Sequence, residues 1–199
     1  MTVSPRSDEP VLLFDMMDTL VLDPFRDTFP DVLGMSMETL TERARPGVWP
    51  DFERGRIDEA MLAARYFRDG TLLDVDRIKT ALFGGYAWIE GIEPVLAELR
   101  DADVQMHVMS NYPAWYHPIE ERLGVSRYLP WTFVSCDTGR RKPDQDAFEY
   151  VAKSLDVEPR RLVLVDDREM NCEGARRAGM DAIRFTSATA LRGELERRI

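Results

Sequence analysis

Several features that would define other protein classes are scarce in this chain. Two cysteines, Cys136 and Cys172, are too few for a disulfide framework, which favours a reducing compartment. No apolar run approaches the ~20 residues that cross a bilayer, so we expect no membrane span. Residues 1–10 lack an apolar core, so we expect no signal peptide and predict a cytoplasmic protein. Lysine is also rare, since only Lys79, Lys142 and Lys153 occur among 26 basic residues.

The net charge of −10 argues against a nucleic-acid partner, because such proteins neutralise phosphates with excess positive charge. An acidic surface still permits a locally positive pocket, so a small anionic substrate remains compatible with the charge. The 199 residues suit one domain, or one core with an insertion. The sequence leaves the oligomeric state open.

Strand and helix patterns alternate in the second half of the chain, and near-continuous apolar strands predict an α/β fold with a parallel sheet covered on both faces. The predicted strands are 11–14, 103–110, 131–136, 161–165 and 181–185. The predicted helices are 113–123, 144–155, 171–178 and 191–198, with Gly179 ending the third.

The stretch from residue 22 to residue 89 differs, because it carries helical spacing with proline and glycine breaks and no convincing strand. We predict an inserted all-helical domain at 22–89 and a core domain formed by residues 1–21 and 90–199.

Polar side chains follow four predicted strands, where ligands bind in open parallel sheets. They are Asp15, Ser110, Lys142, Asp166 and Asp167. Carboxylates from two strands can hold Mg²⁺, while a serine and a lysine suit phosphoryl oxygens. A carboxylate between them can act as a nucleophile and form an aspartyl-phosphate. Each residue alone is more typical of a turn or a helix cap, but together and in this order they favour a site.

Four segments resemble the motifs of the haloacid dehalogenase (HAD) superfamily: Phe14–Leu20, Ser110-Asn111, Lys142–Asp144 and Val165–Asp167. The resemblance covers the whole chain and implies a Rossmann-like, doubly wound parallel sheet. The helical block lies where this superfamily inserts its C1-type cap. Further segments resemble the plant plastid FMN hydrolases of the superfamily: Asp23–Phe25, Gly34–Met37, Ser110–Tyr116 and Trp131–Phe133.

The resemblance implies a role for each matching residue. Asp15 matches the nucleophile, and Ser110 matches the hydroxyl that binds a phosphoryl oxygen. Lys142 matches the cation that neutralises Asp15 and the transferring phosphoryl group. Asn111 is a further phosphate-site residue. The metal ligands would be Asp15, Asp166, Asp167 and the backbone carbonyl of Met17. The implied reaction is Mg²⁺-dependent hydrolysis of a small phosphorylated metabolite, with FMN conversion to riboflavin and phosphate as a candidate.

Met17 departs from the superfamily pattern, which has a second aspartate there as general acid and base. Loss of such a group typically costs ~10²–10⁴ in rate. Asp18 is a possible but disfavoured substitute, because adjacent side chains point elsewhere. The alternative function is therefore a catalytically weakened HAD-fold protein that binds a phosphorylated ligand or partner.

Two other branches of the superfamily also lack that aspartate. The haloacid dehalogenases lack the paired carboxylates that Asp166 and Asp167 supply here. The phosphonatases use a cap lysine, for which Lys79 is the candidate, although a surface position on a helix is more typical of its surroundings. For substrate contacts we predict Tyr112, Trp115 and Tyr116, because they follow Ser110 directly.

Overall fold

The structure is a computed structural model that describes residues 9–198. The first eight residues of the predicted core domain, most of the segment tested for a signal peptide, and residue 199 lie outside the described residues. Within the described part, no helix is long and apolar enough to cross a membrane.

Five parallel strands form one sheet in the order β3-β2-β1-β4-β5. In chain order they are β1 (Val11–Phe14), β2 (Met106–Ser110), β3 (Phe133–Val134), β4 (Leu162–Asp166) and β5 (Asp181–Arg184). All residues of β1 and β4 are buried, as expected for central strands of a sheet covered on both faces. The predicted α/β fold with a doubly wound parallel sheet is confirmed.

The two faces of the sheet bury different residues of each strand, because side chains alternate along a strand. Leu12 and Phe14 of β1 belong to one hydrophobic cluster, while Val11 and Leu13 belong to the other. The first cluster includes residues of α6 (Ile92–Asp101), α7 (Tyr116–Leu123) and α11 (Ala188–Leu195). The second includes residues of α9 (Gln145–Leu155) and α10 (Glu169–Arg177).

Five helices occupy the chain between β1 and α6. They are α1 (Phe25–Leu33), α2 (Met37–Arg43), α3 (Val48–Glu53), α4 (Glu59–Arg65) and α5 (Val75–Gly85). Extended pairing in this segment of the described chain is limited to isolated bridges such as Ala44 with Phe67. Its buried side chains continue the first hydrophobic cluster, which also includes residues of α6, so the inserted segment and the core share one apolar interior.

Several predicted elements have different bounds in the structure. The strand predicted at 131–136 shortens to β3, because a short helix, α8 (Ser135–Thr138), begins directly after it. The strand predicted at 103–110 begins only at Met106, since Asp103 has a left-handed backbone (φ 60°) after the end of α6. The helix predicted at 191–198 begins earlier, because the Ser187 side chain accepts a hydrogen bond from the Ala190 N–H.

Helix α6 was missed by the sequence analysis, although its signal is present. Ile92, Val95, Leu96 and Leu99 recur at helical spacing and are all buried. Gly91, with φ 81°, begins this helix.

Candidate active site

The ends of the parallel strands bring the predicted polar residues together. Asp15 follows β1, and its N–H donates to Val165 O on the neighbouring β4 at 2.9 Å. Ser110 ends β2 and Asp166 ends β4, the two strands that flank β1. All three side chains are therefore at one edge of the sheet, where ligand sites of such folds lie.

Lys142 links two of these carboxylates. Its Nζ lies 3.0 Å from Asp15 Oδ1 and 2.6 Å from Asp166 Oδ2, and its side chain is only 1% exposed. Burial lowers the pKa of Lys142, but the two carboxylates outweigh this and hold its pKa above the ordinary value. Lys142 therefore supplies a permanent positive charge between the two acids.

Asn111 fixes the backbone that carries Lys142. Its Oδ1 accepts from the Lys142 N–H at 2.8 Å, and its Nδ2 donates to the Lys142 carbonyl at 2.8 Å. The side-chain amide is thus engaged on the chain itself, which positions the lysine. A direct contact between Asn111 and phosphate stays a prediction.

Asp166 is held by a residue that sequence analysis missed. Asn171 Nδ2 lies 3.0 Å from both carboxylate oxygens, and the Arg168 N–H donates to Oδ1 at 2.9 Å. Asn171 lies in the first turn of α10, five residues after Asp166, so it returns to the strand end. The sequence feature that could have identified Asn171 is a polar residue five positions after Asp166.

Three carboxylates form a group that fits a divalent cation. Ligand oxygens of Asp15, Asp166 and Asp167 lie within 4.8 Å of one another. Burial, offset in part by Lys142 and reinforced by Asp166, raises the pKa of Asp15 to about 7. Burial and the charges of Asp166 and Asp18 also raise the pKa of Asp167. A hard cation bound by oxygen ligands would relieve this repulsion, so the donor set fits Mg²⁺.

The Ser110 hydroxyl has no protein partner. Ser110 Oγ is buried and makes no hydrogen bond within the described residues. An unpaired buried hydroxyl costs ~1–3 kcal/mol, and functional sites are where such costs persist. The hydroxyl is therefore available to donate to an oxygen of a bound ligand. We call Asp15, Ser110, Lys142, Asp166 and Asp167 the strand-end cluster.

A cavity of about 120 Å³ lies between this cluster and the inserted helices. The core lines it with Asp15, Met17, Asp18, Ser110, Asn111, Tyr112, Asp167, Arg168 and Asn171. The inserted segment lines it with Asp23, Phe25, Arg26, Trp49 and Glu53. We call Phe25, Arg26, Trp49 and Glu53 the cap wall; the sequence analysis did not single out these four as the cavity-lining set.

Met17 and Asp18 both line this cavity, but neither replaces the missing acid in an evident way. Met17 offers only a thioether side chain. Asp18 has a left-handed backbone (φ 55°), and its Oδ1 accepts from the Asp23 N–H at 3.1 Å. Its carboxylate therefore stabilises the loop between residues 18 and 23.

Of the predicted substrate contacts, only Tyr112 lines the cavity. Trp115 is buried against Phe52 and Trp49, and its Nε1 donates to Glu59 at 2.7 Å. The Tyr116 ring lies against Trp131 with the ring centroids 4.9 Å apart, and the Tyr116 hydroxyl donates to Asp137 Oδ2 at 3.0 Å. The structure therefore places Trp115 and Tyr116 outside the lining of this cavity.

Lys79, the candidate of the phosphonatase alternative, is engaged elsewhere. Its Nζ lies 2.7 Å from Glu59 Oε1, and the residue does not line the cavity. A lysine that is paired with a carboxylate outside the cavity is not placed to attack a substrate in it, so this geometry does not favour the phosphonatase alternative.

The cap wall is attached to the core through the end of α3. Arg141 Nε lies 2.5 Å from Glu53 Oε2, and Ser135 Oγ donates to the Glu53 carbonyl at 2.5 Å. Arg54 and Asp144 form a more exposed ion pair at 2.6 Å. Because Arg141 precedes Lys142, the same loop holds the cap wall and supplies Lys142 to the strand-end cluster.

Comparison with known proteins assigns this site to a family. The family model described as haloacid dehalogenase-like hydrolase matches residues 10–179. Flavin mononucleotide hydrolase 1 of Arabidopsis thaliana, named as chloroplastic, is 41% identical over 193 residues, covering 97% of this chain and 79% of the relative. N-acetylmuramic acid 6-phosphate phosphatase of Pseudomonas putida is 26% identical over 180 residues, covering 84% of this chain and 78% of that relative.

Solved structures share the fold. A HAD family enzyme of Bacteroides thetaiotaomicron, solved with magnesium and inorganic phosphate, has a TM-score of 0.72 at 19% identity, covering 90% of this chain and 95% of its own. A predicted HAD-like hydrolase from Porphyromonas gingivalis has a TM-score of 0.75 at 20% identity, covering 94% and 98% of the two chains. Nothing in these comparisons supports the alternative of a catalytically weakened binding protein. The chain therefore belongs to the haloacid dehalogenase-like hydrolases, and it is a phosphatase of that family.

Proposed function

We propose that this phosphatase hydrolyses FMN to riboflavin and inorganic phosphate, with Mg²⁺ as its metal and an aspartyl-phosphate on Asp15 as the intermediate. One observation carries the chemistry: Lys142 Nζ lies 3.0 Å from Asp15 Oδ1 beside the unpaired Ser110 hydroxyl. The 41% identity to the Arabidopsis FMN hydrolase carries the choice of substrate.

Asp15 is the nucleophile of the proposed reaction. Its carboxylate oxygen attacks the phosphorus of the ester, and the bond from phosphorus to the leaving oxygen breaks. Lys142 neutralises the charge of Asp15 and of the transferring group, while Ser110 donates a hydrogen bond to a phosphoryl oxygen. Water then attacks the phosphorus, releases phosphate and restores Asp15.

The metal would be held by Asp15, Asp166, Asp167 and the backbone carbonyl of Met17. A bound Mg²⁺ supplies positive charge that stabilises the phosphoryl oxygens in the transition state. Asn111 and Asn171 contribute by orienting Lys142 and Asp166 through the hydrogen bonds described above.

The rest of the substrate faces the inserted segment. A cavity of about 120 Å³ is smaller than the ~300–1,000 Å³ of ordinary ligand sites, so it encloses only the reacting end of FMN. Phe25, Trp49 and Tyr112 are the aromatic side chains closest to the path of the flavin, because they line this cavity. Segment 22–89 acts as a cap that moves to admit it, and the domain division at residues 21 and 90 stays part of this proposal.

The partner of the protein in this proposal is a small phosphorylated metabolite, without nucleic acid or membrane. The predicted cytoplasmic location stays a prediction, since the name of the Arabidopsis relative places that protein in the chloroplast.

The test is phosphate release from FMN and from p-nitrophenyl phosphate, with Mg²⁺ and with EDTA. We expect metal-dependent release that prefers FMN, and its loss in Asp15→Asn, which keeps the shape of the side chain without the nucleophilic oxygen. Release that persists in Asp15→Asn would contradict the mechanism. Equal or better hydrolysis of unrelated phosphomonoesters would contradict the choice of FMN.

A further inference from the structure

The proposed function leaves one proton without a donor. An alcohol oxygen leaving from a phosphate ester requires a proton, and the water that later attacks must lose one. Met17 can do neither. The inference that follows rests on the proposed function and concerns the group that handles this proton.

Most acidic side chains in the cavity are already engaged. Asp15 and Asp167 belong to the proposed nucleophile and metal site. Asp18 also leaves its Oδ2 without a hydrogen-bond partner among the described residues, but its left-handed backbone (φ 55°) and the hydrogen bond from the Asp23 N–H to its Oδ1 hold it in the loop between residues 18 and 23. Glu53 is bound through Oε1 to Trp49 Nε1 and through Oε2 to Arg141, so both of its oxygens hold hydrogen bonds.

Asp23 is the remaining carboxyl that lines the cavity. Its Oδ1 accepts from the Phe25 N–H at 3.0 Å, at the start of α1, while Oδ2 has no hydrogen-bond partner among the described residues. One oxygen therefore fixes the side chain and the other is available. A positioned group with a free oxygen is the geometry that general acid catalysis needs.

We propose that Asp23 is the general acid and base of this phosphatase, and that it performs from the first turn of the inserted segment the proton transfer that residue 17 cannot perform. In the first step, Asp15 bonds to phosphorus, the ester bond breaks, and the leaving oxygen takes the proton of the Asp23 carboxyl. In the second step, the Asp23 carboxylate accepts a proton from the attacking water, phosphate leaves, and both aspartates are restored.

The surroundings of Asp23 favour a carboxyl that exchanges protons near neutral pH. Burial, together with the nearby charges of Asp18 and Asp167, raises the pKa of Asp23 to about 6, against the lowering effects of the Phe25 N–H and Arg26. The charge of Asp23 also helps to raise the pKa values of Tyr86 and Tyr112, whose hydroxyls are hydrogen-bonded to each other. They carry no positive charge that would hold Asp23 ionised.

The decisive variant is Asp23→Asn. It retains Oδ1 for the Phe25 N–H, so the start of α1 is kept, and it removes the transferable proton. With FMN, whose leaving oxygen is an alcohol, we expect kcat to fall by ~10²–10⁴. With p-nitrophenyl phosphate, whose leaving group departs without a proton, we expect a rapid stoichiometric burst of nitrophenolate followed by slow turnover, because only the second step then lacks its base.

Asp27→Asn is the matched control, since it removes one exposed negative charge from the first turn of α1, close to Asp23 in sequence but outside the cavity. Its activity should equal that of the wild type. If Asp23 had a purely structural role, Asp23→Asn would instead lower kcat to the same extent with both substrates and would give no burst. That result, or an Asp23→Asn variant with wild-type kcat on FMN, would overturn the assignment.

The same experiment separates this assignment from the proposed function. Wild-type protein without metal-dependent phosphate release would overturn the proposed function, and the role of Asp23 with it. Wild-type release that is abolished in Asp15→Asn but unaffected in Asp23→Asn would overturn the role of Asp23 alone.

Discussion

The strand-end cluster and the cap wall face each other across one cavity, yet they are held in different ways. Lys142 and Asp166 are 1% and 0% exposed, and their charges meet at 2.6 Å. The outer connection of the cap wall, between Arg54 and Asp144, has side chains 16% and 51% exposed. Removing one partner of a buried pair costs ~3–5 kcal/mol, whereas exposed pairs contribute ~0–1 kcal/mol.

We therefore expect the strand-end cluster to be rigid and the cap wall to adjust more easily to the substrate. The cluster lies on strand ends that are hydrogen-bonded through the sheet, so its geometry depends on the core. The cap wall lies on α1 and α3, outside the sheet, and contacts the core through side chains such as the Glu53–Arg141 pair and the ring contact of Trp49 with Trp115. Four experiments test this difference, and the largest effect is expected in the strand-end cluster.

Lys142→Met should cause the largest loss, because it leaves Asp15 and Asp166 buried without their cation. We expect the free energy of unfolding in EDTA to fall by ~3–5 kcal/mol, with loss of activity. Lys153→Met is the control, since Lys153 is an exposed lysine on α9, and it should change stability little. Urea unfolding measures both. Equal effects of the two variants would show that the cluster is not the rigid side of the cavity.

The second experiment uses the raised pKa of Asp23, about 6 in the folded protein. A carboxyl whose pKa is higher in the folded than in the unfolded protein binds a proton more readily in the folded state. Its ionised form therefore destabilises the fold at neutral pH, and this destabilisation is lost as the pH falls. Asp23→Asn should therefore be more stable than wild type at pH 7.5, by up to about 3 kcal/mol. The gap should narrow through pH 6 toward pH 4. Unfolding in EDTA at several pH values measures it, and a gap that does not depend on pH would count against the buried carboxyl.

Gly55→Ala should weaken the contact between the cap wall and the core, and we expect the loss of stability from this contact to be smaller than that in Lys142→Met. Gly55 has φ +66°, and a Cβ there would lie 2.5 Å from the carbonyl oxygen of Cys136 in α8, the short core helix that α3 contacts. Gly70→Ala is the control, because Gly70 has φ +78° and open space around it. Both variants should lose ~1–2 kcal/mol from backbone strain, and Gly55→Ala a further ~1–3 kcal/mol from overpacking.

The kinetic counterpart distinguishes the two sides of the cavity. If α3 shifts in Gly55→Ala, the KM for FMN should rise while kcat with p-nitrophenyl phosphate stays near that of Gly70→Ala, since the strand-end cluster is unchanged. A Gly55→Ala variant that matches Gly70→Ala in stability and KM would argue that the contact with Cys136 does not hold the cap wall.

The smallest effect is expected for single aromatic contacts. Phe25→Leu should raise the KM for FMN about 2- to 10-fold, the equivalent of ~0.5–1.5 kcal/mol of aromatic contact. Tyr116→Leu should not, because Tyr116 lies beside Trp131 away from the cavity. Steady-state kinetics with FMN checks the pair. The reverse outcome would favour the substrate contacts predicted from sequence over those that line the cavity.

Most of the strand-end cluster could be predicted because its residues follow strands directly. An apolar run such as Val11–Phe14 identifies the strand, and the polar residue after it then lies at the ligand edge of a parallel sheet. The same reasoning failed at residues 131–136, where a chemically β-rich stretch becomes helical after Val134. There the start of α8 overrides local β propensity.

The cap wall could not be predicted in this way. Trp49 and Glu53 lie on α3, far from Ser110 and Asp166 along the chain, and nothing in their spacing marks them as neighbours of the cavity. Trp115 illustrates the converse, since it follows Ser110 closely but packs against Phe52 instead. Aromatic residues suit core and ligand contacts equally, so sequence distance did not separate the two.

The fold class and the polar residues at the strand ends follow from the amino-acid sequence, because strand periodicity and short motifs act over a few residues. The hydrogen bonds by which Asn111 and Asn171 orient the charged groups, and the free oxygen of Asp23 in the cavity, depend instead on the packing of distant segments. The physical reason is that hydrogen bonding and burial depend on which distant segments pack together. Here the docking of α1 and α3 on the core selects the groups that face the substrate.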